Sequence, residues 1–551
     1  MINYIEEMKR NLIKTLVIVG ALTVGLTSCK KNLILTPNTQ LTSEQVYSTP
    51  QGYLESLAKV YGSYALTGNT GPSGSPDVQG IDEGTSDFFR LFWYAQELPT
   101  DEAVIGWGDP GVPDFHNMNW TSSNVILTGL YYRSMYQITL CNDYVSQCTD
   151  ANLSKRGISG EDATKIKEYA LEARFLRAYQ YWVMMDLFAN PPFVTDATPV
   201  GSVIPPQTDR KTLFTYVESE LKAIEPLLPA TNDYGRVSQG AADALLARLY
   251  LNAEVYTGTQ RYADAMTYSK KVITSGNYSL ATSYTNLYTA DNNTNGSQKE
   301  FILTINYDGK NTQGYGGTTF LTHASAGGTL STTLMGDDSQ WGGIRTTANI
   351  VNLFPVDTVK SLQGNTTLFP NRGNADSRAE LWSNGQNLDI NSISTFADGY
   401  AVSKFRNVQS NGSPAQSLGF SDVDIAIFRL PEQYLIYAEA AVRSQTDLSG
   451  ALGYINDLRH RAYGNDSGNI GQGSLTTSFI LDERARELYW EGFRRTDLIR
   501  YGEFTTANYL WPFKGGVKSG VAVADYRNIY PIPDQDRAAN PNLKQNPGYG
   551  N

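Results

Sequence analysis

Two tryptophans in this sequence sit where little stands nearby to bury them. Trp107 lies in Gly106-Trp107-Gly108-Asp109-Pro110-Gly111, and Trp341 lies in Asp337-Asp338-Ser339-Gln340-Trp341-Gly342-Gly343. A flat ring held in such a loop can cover the apolar C–H face of a pyranose, while a few polar side chains at its edge catch the hydroxyls. Trp93, Trp120, Tyr315 and Trp382 join them as candidate platforms. Taken singly, each reads first as a core or loop-packing residue.

Bond-breaking chemistry finds less support. Glycan hydrolysis needs two carboxylates facing each other across a cleft, and the acidic neighbours Asp82-Glu83 and Asp101-Glu102 are adjacent in sequence, which does not set them opposite one another. There is no GxSxG elbow, no phosphate-binding glycine loop and no CxxC or HExxH motif. The three histidines, His116, His323 and His460, are scattered. The expectation is a protein that is not an enzyme. Asp291-Asn292-Asn293-Thr294-Asn295 and Asp422-Val423-Asp424 cluster oxygen ligands of the kind calcium prefers, although Asx-rich turns are usually only turns.

The net charge of -11 argues against nucleic acid as a partner, since displacing counterions needs a basic face. An apolar content of 41 % with 18 % charged residues marks a folded chain. Cys141 and Cys148 fall on one helical stretch, ~10.5 Å apart by the helical rise, too far for a disulfide. They read as buried free thiols.

At the N-terminus, Lys9, Arg10 and Lys14 accompany an apolar run from Leu12 to Leu26 that ends in Leu26-Thr27-Ser28-Cys29. The run is short for a membrane span and has the order of a secretory signal. The ending resembles a lipobox, with Cys29 as the lipid-bearing first mature residue. The boundaries expected are a signal over 1–28, a tether over 29–44 and one large domain over 45–551, with Met8 as an alternative start to Met1.

The elements that must position the loops are helices. In residues 166–188, Ile166, Ala170, Ala173, Leu176, Met184 and Leu187 recur on one face, and Asn190-Pro191-Pro192 must end the helix. A second block begins near Pro431, with Leu435, Ala438 and Val442, then Ala451, Ile455, Leu458 and Ala462, then Leu481, Ala485, Leu488 and Gly492 at helical spacing. Small residues alternating with Leu and Tyr on paired helices have the style of tetratricopeptide arrays. The fold class expected is mainly α: a tetratricopeptide-like superhelix over about 45–66, 125–280 and 430–505, carrying long irregular insertions over about 68–124 and 281–430. Within the insertions, Glu300–Tyr307 and Gly399–Phe405 look like short strands.

EARFLRAYQYWVMMDLFANPPFV (172–194), FRLPEQYLIYAEA (428–440), INDLRHRA (455–462), DERARELYWEGFRRTDLIRYG (482–502) and YPIPDQD with NPNLKQNPGY (530–549) resemble, in order, the SusD/RagB family of surface glycan-binding lipoproteins. Residues 80–107, 314–321, 509–516 and 289–295 are similar to its starch-binding branch. The resemblance implies a non-catalytic protein, lipid-anchored and exposed at the outer membrane, that captures starch or maltooligosaccharides and delivers them to a TonB-dependent, SusC-like transporter. It implies an arc of three aromatics, Trp107, Tyr315 and Trp341, with Asp82 as acceptor and Arg90 as forked donor. It also carries a structural calcium site onto Asp291, Asp422 and Asp424. The chain departs from that branch after Trp107, where Gly-Asp-Pro replaces a sugar-contacting Asn, so that either Asp109 takes the contact or it is lost. Residues 354–400 align poorly as well. Rival expectations are a SusD-like binder of another glycan, such as a fructan or a host glycan, and a surface lipoprotein with protein partners.

Overall fold

The computed structural model describes residues 1, 42–198, 201–355 and 376–550. Cys29, the expected signal and most of the tether lie outside the described residues. The chain divides into two compact units, Met1–Tyr53 and Leu54–Asn551. In the first, helix α1 (Ser43–Val46) opens on a capping box in which Thr42 and Gln45 bond each other's backbone N–H. Helix α2 (Pro50–Gly62) begins there, so the helical stretch expected over about 45–66 is made of two helices.

The large unit is mainly helical. The helices used below are α3 (Phe88–Glu97), α4 (Val125–Gln147), α5 (Gly160–Phe188), α6 (Arg210–Ile224), α7 (Gln239–Leu251), α8 (Tyr262–Thr274), α9 (Gly317–Ser325), α10 (Leu430–Ser444), α11 (Leu448–Tyr463), α12 (Thr477–Leu488) and α13 (Arg494–Arg500). Successive pairs pack, α4 on α5, α5 on α6, α7 on α8 and α10 on α11. Contact between α8 and α10 joins the two helical blocks that are far apart in sequence. Cys141 and Cys148 are buried free thiols on and just after α4.

Two helices differ from their periodicity. From Phe175 to Phe188 α5 is buried on every side, so it is a central strut and not an amphipathic layer. It ends where expected, just before Asn190-Pro191-Pro192. The stretch 479–502, which reads as one helix, is broken between α12 and α13, with Trp490 and Gly492 at positive φ. Buried carboxylates compensate the break: Trp490 N donates to Glu102 Oε2 at 2.8 Å, and Phe493 N to Glu97 Oε1 at 3.2 Å. Glu97 and Glu102 face one another, and burial raises the carboxyl of Glu102 to about 7.

The strands are short and antiparallel. Strand β1 (Val104–Ile105) pairs with β3 (Ile344–Arg345), β2 (Phe301–Ile305) with β6 (Ile425–Arg429), and β4 (Leu381–Trp382) with β5 (Ala401–Val402). Of the two expected strands, Glu300–Tyr307 forms β2 almost whole, whereas Gly399–Phe405 keeps only the two residues of β5.

A charged core fixes the second irregular segment to the helices. Arg429, at the end of β6, pairs with Glu491 at 2.7 Å, Glu487 at 2.7 Å and Glu300 at 3.0 Å. Arg378 reaches Glu483 of α12 at 2.7 Å, and Lys404 reaches Glu491 at 2.7 Å. All these side chains are buried, so each charge depends on its partners rather than on water.

Candidate functional site

The β1–β3 pair brings the two loop tryptophans together. Ile105 lies opposite Ile344, and Gly106 N donates to Gly343 O at 3.0 Å. Trp107 and Trp341 extend from the same end of this two-stranded ladder, with ring centroids 6.3 Å apart and planes tilted by 49°. Gly343 is needed there, because a Cβ would sit 2.5 Å from Cε2 of the Trp107 indole.

Tyr315 is placed by the start of α9. Asp87 Oδ1, which caps α3 by accepting from Arg90 N, also accepts from Gly317 N, both at 2.8 Å. One carboxylate thereby ties two helix starts together, and burial raises its pKa to about 6. A Cβ on Gly316 would fall 1.9 Å from Asp87 Cβ, so only glycine allows this approach. Tyr315, 38 % exposed, lies 6.4 Å from Trp341 at 54°. Trp341 touches both other rings and is the middle of the arc. The rings are tilted successively by 49° and 54° and all three line one cleft, so the surface they present is concave.

The arc lines a cleft of about 960 Å³ together with Asp82, Arg90 and Asp109, so all six residues singled out in the sequence converge on one site. Asp82 and Asp109 are exposed. Asp82 Oδ1 caps the turn at Glu83–Thr85 by accepting from Thr85 N at 3.2 Å, which leaves its second oxygen for the cleft. Arg90 is largely spent on the protein. It donates to Tyr315 O at 2.9 Å, Gly84 O at 3.3 Å and the Tyr94 hydroxyl at 3.1 and 3.2 Å. Its guanidinium also lies over Phe320 at 4.8 Å and Trp107 at 5.7 Å. It secures Tyr315 and supports Trp107, with one Nη2 hydrogen left over.

Three aromatic candidates are not platforms. Trp93 and Trp120 are fully buried and Trp382 nearly so, each with its indole N–H bonded inside the protein, to Trp490 O, the Tyr549 hydroxyl and Thr329 Oγ1 respectively. The sequence reading missed the support beneath the arc. Phe320 and His323, at i and i+3 on α9, share a face, and His323 stacks on Trp341 with centroids 4.7 Å apart at 35°. That spacing was the available signal.

The acidic neighbours do not form a hydrolytic pair. Asp101 is buried against Arg494 at 2.7 Å, Glu102 faces Glu97, and Glu83 is buried with the Thr67 hydroxyl donating to it at 3.4 Å. The carboxylates assigned to calcium also have protein donors. Asp291 accepts from Ser410 N and Oγ, Asp422 from Gly309 N and Gln416 N, and Asp424 from Tyr307 N and the Tyr234 hydroxyl. Among the described residues no three His, Cys, Asp or Glu side chains gather in one place.

Comparison with known proteins places the chain. It is 36 % identical to the starch-binding protein SusD of Bacteroides thetaiotaomicron, across 98 % of this chain and 100 % of that protein. The chain belongs to the SusD family. A SusD family model matches residues 365–549, and a model described as starch-binding associating with outer membrane matches 110–251. A SusD-like protein, P25, of Formosa agariphila is 23 % identical over 73 % of this chain and 77 % of its own length. Among solved structures, a SusD superfamily protein of Bacteroides thetaiotaomicron shares the fold with a TM-score of 0.66 at 20 % identity, over 91 % of this chain and 100 % of the other. Surface glycan-binding protein A of Bacteroides uniformis gives 0.66 at 20 % identity, over 90 % and 99 %. As a SusD family member the chain is not an enzyme. The family block DERARELYWEG is the stretch that supplies Glu483, Glu487 and Glu491 to the charged core.

Proposed function

We propose that this protein binds starch-type α-glucans at the cell surface, held to the outer membrane by lipid on Cys29, and passes oligosaccharides to a TonB-dependent transporter of the SusC type. The observation that carries the binding reading is the concave arc of Trp107, Trp341 and Tyr315. An α-1,4-glucan winds into a helix, and a curved run of rings follows that winding where a flat ribbon would meet one ring at a time. Asp82 and Asp109 stand at the rim as hydroxyl acceptors. Similarity to SusD supports the same substrate. Among the described residues no helix is long and apolar enough to cross a membrane.

The test is calorimetric titration of the detergent-solubilised full chain with a cyclic α-1,4-glucan, a linear fructan and a β-glucan. Saturable binding of the cyclic glucan alone is expected. Binding of the fructan or the β-glucan instead would move the assignment to that glycan, and no binding at all would refute the starch reading.

Gly343→Ala provides a second check from the position of Trp107. Gly343 is fixed by its N–H to Ala324 O at 2.8 Å and its carbonyl to Gly106, so the indole must yield to the new Cβ. Affinity for the cyclic glucan is expected to fall by about tenfold, the loss of roughly half of one ring's contact. The melting temperature should change by only a degree or two. Unchanged affinity would mean that Trp107 does not touch the sugar.

A further inference from the structure

His323 reaches the cleft only through Trp341. It is 1 % exposed and lies against the indole, while Trp341 N donates to His323 O at 2.9 Å. Its ring nitrogens both face acceptors. Nδ1 lies 3.0 Å from Thr319 O on α9, and Nε2 lies 3.3 Å from Asp338 Oδ1 in the loop that carries Trp341. A neutral imidazole has one N–H and can satisfy only one of them, whereas the imidazolium satisfies both. In the tautomer that donates Nδ1–H to Thr319 O, the bond to Asp338 needs a second proton.

We propose that His323 is a positioning residue for the central platform: on taking up a proton it bonds Thr319 and Asp338 together, fixing Trp341 against α9, so that glucan binding tightens as the solution becomes more acid. The inference rests on the glucan reading of the cleft. The other groups facing the ring are the Asp337 carboxylate, with Oδ1 3.4 Å from Nδ1, the Thr322 hydroxyl at 3.3 Å, and the Leu418 segment, whose carbonyl accepts from Asp338 N at 2.9 Å. Asp337 is buried, and burial pushes its carboxyl well above the usual carboxylate range, whereas the Asp338 side chain is 57 % exposed. Burial likewise lowers the imidazole below the ordinary histidine value of 6.5, which puts the proton uptake on the acid side of that value.

Two measurements on the full chain test this. The first needs no sugar. A protonated imidazole quenches an adjacent indole, so the difference in tryptophan fluorescence between the parent and Trp341→Phe should show a step between pH 7.5 and 5.0. His323→Phe, which keeps a ring under the indole but cannot take a proton, should lack that step. If His323→Phe does not fold, His323→Gln offers a neutral amide for the same comparison. Absence of the step in the parent, or its survival in these variants, overturns the proposal whether or not glucan binds. The second is titration of the cyclic glucan at pH 7.5 and 5.0. The parent should bind about fivefold more tightly at pH 5.0, and the His323 variants should show the same affinity at both. A step in fluorescence with a pH-independent parent affinity overturns the coupling to binding. No glucan binding at either pH refutes the glucan reading, while the fluorescence step still decides the proton uptake by His323.

Discussion

Trp341→Ala is expected to abolish measurable binding of a cyclic α-1,4-glucan, a loss of about 100-fold or more, while the protein remains folded. A tryptophan side chain buries 150–250 Å². Trp341 is half-buried already against His323 and its neighbours, so about half of that area is left for a ligand. At roughly 25 cal/mol per Å², this amounts to about 2–3 kcal/mol, or some 30- to 150-fold. The middle position adds to the effect. Trp107 and Tyr315 each contact Trp341, so its removal divides one curved surface into two isolated rings. Trp107→Ala should therefore cost less, about 30-fold, because a contiguous pair remains. Calorimetry measures both. The arc is refuted as the binding surface if Trp341→Ala binds as tightly as the parent.

The residues of this arc were legible because of what surrounds them. Trp107 and Trp341 are bracketed by glycines and short polar residues, and a ring with no large neighbours in the chain is hard to bury locally. Trp93 and Trp120 could not be separated from them on the same grounds, since burial there is decided at long range. The Trp93 indole bonds the carbonyl of Trp490, and the Trp120 indole bonds Tyr549. The pairing of β1 with β3 joins residues 104–105 to 344–345, a register that no local pattern reports. The helical blocks were visible in their periodicity. The break after α12 was not, because its freed N–H groups are satisfied by Glu97 and Glu102 from the other end of the chain. His323 looked like one of three scattered histidines until α9 set it under Trp341. Asp82, Arg90 and Asp109 entered the site only through resemblance, and the structure supplies what neither source carried: an order, with Trp341 in the middle, and a second task for Arg90 as the clamp on Tyr315.

The charged core makes a separate demand, on stability. Arg429→Met should destabilise the protein by about 3–5 kcal/mol at pH 7, the cost of breaking a buried ion pair by removing one partner. Arg429 donates to Glu491 at 2.7 and 2.8 Å, to Glu487 at 2.7 Å and to Glu300 at 3.0 Å, and to the Glu487 carbonyl at 2.6 Å. Lys404 and Arg461 remain to share these carboxylates, which holds the loss within that range. With an unfolding entropy of about 2.1 cal/mol/K per residue, a chain of this size loses roughly one degree of Tm per kcal/mol, so a fall of about 3–5 °C is expected. The pH dependence distinguishes a lost ion pair from a lost shape. Burial opposes ionisation of Glu487 and Glu491, yet Arg461 and Arg429 outweigh it for the first, and Arg429 and Lys404 for the second, so both carboxyls lie below the usual 4.5. Such depressed groups contribute stability above their unfolded value, and that contribution is lost as the pH falls from about 4.5 toward the folded value. The parent therefore surrenders in acid what the variant has already lost, and the gap in Tm should narrow between pH 7 and pH 3. A gap that stays constant would assign the effect to packing around the guanidinium, and a Tm within one degree of the parent at pH 7 would show that Lys404 and Arg461 alone can hold the three carboxylates.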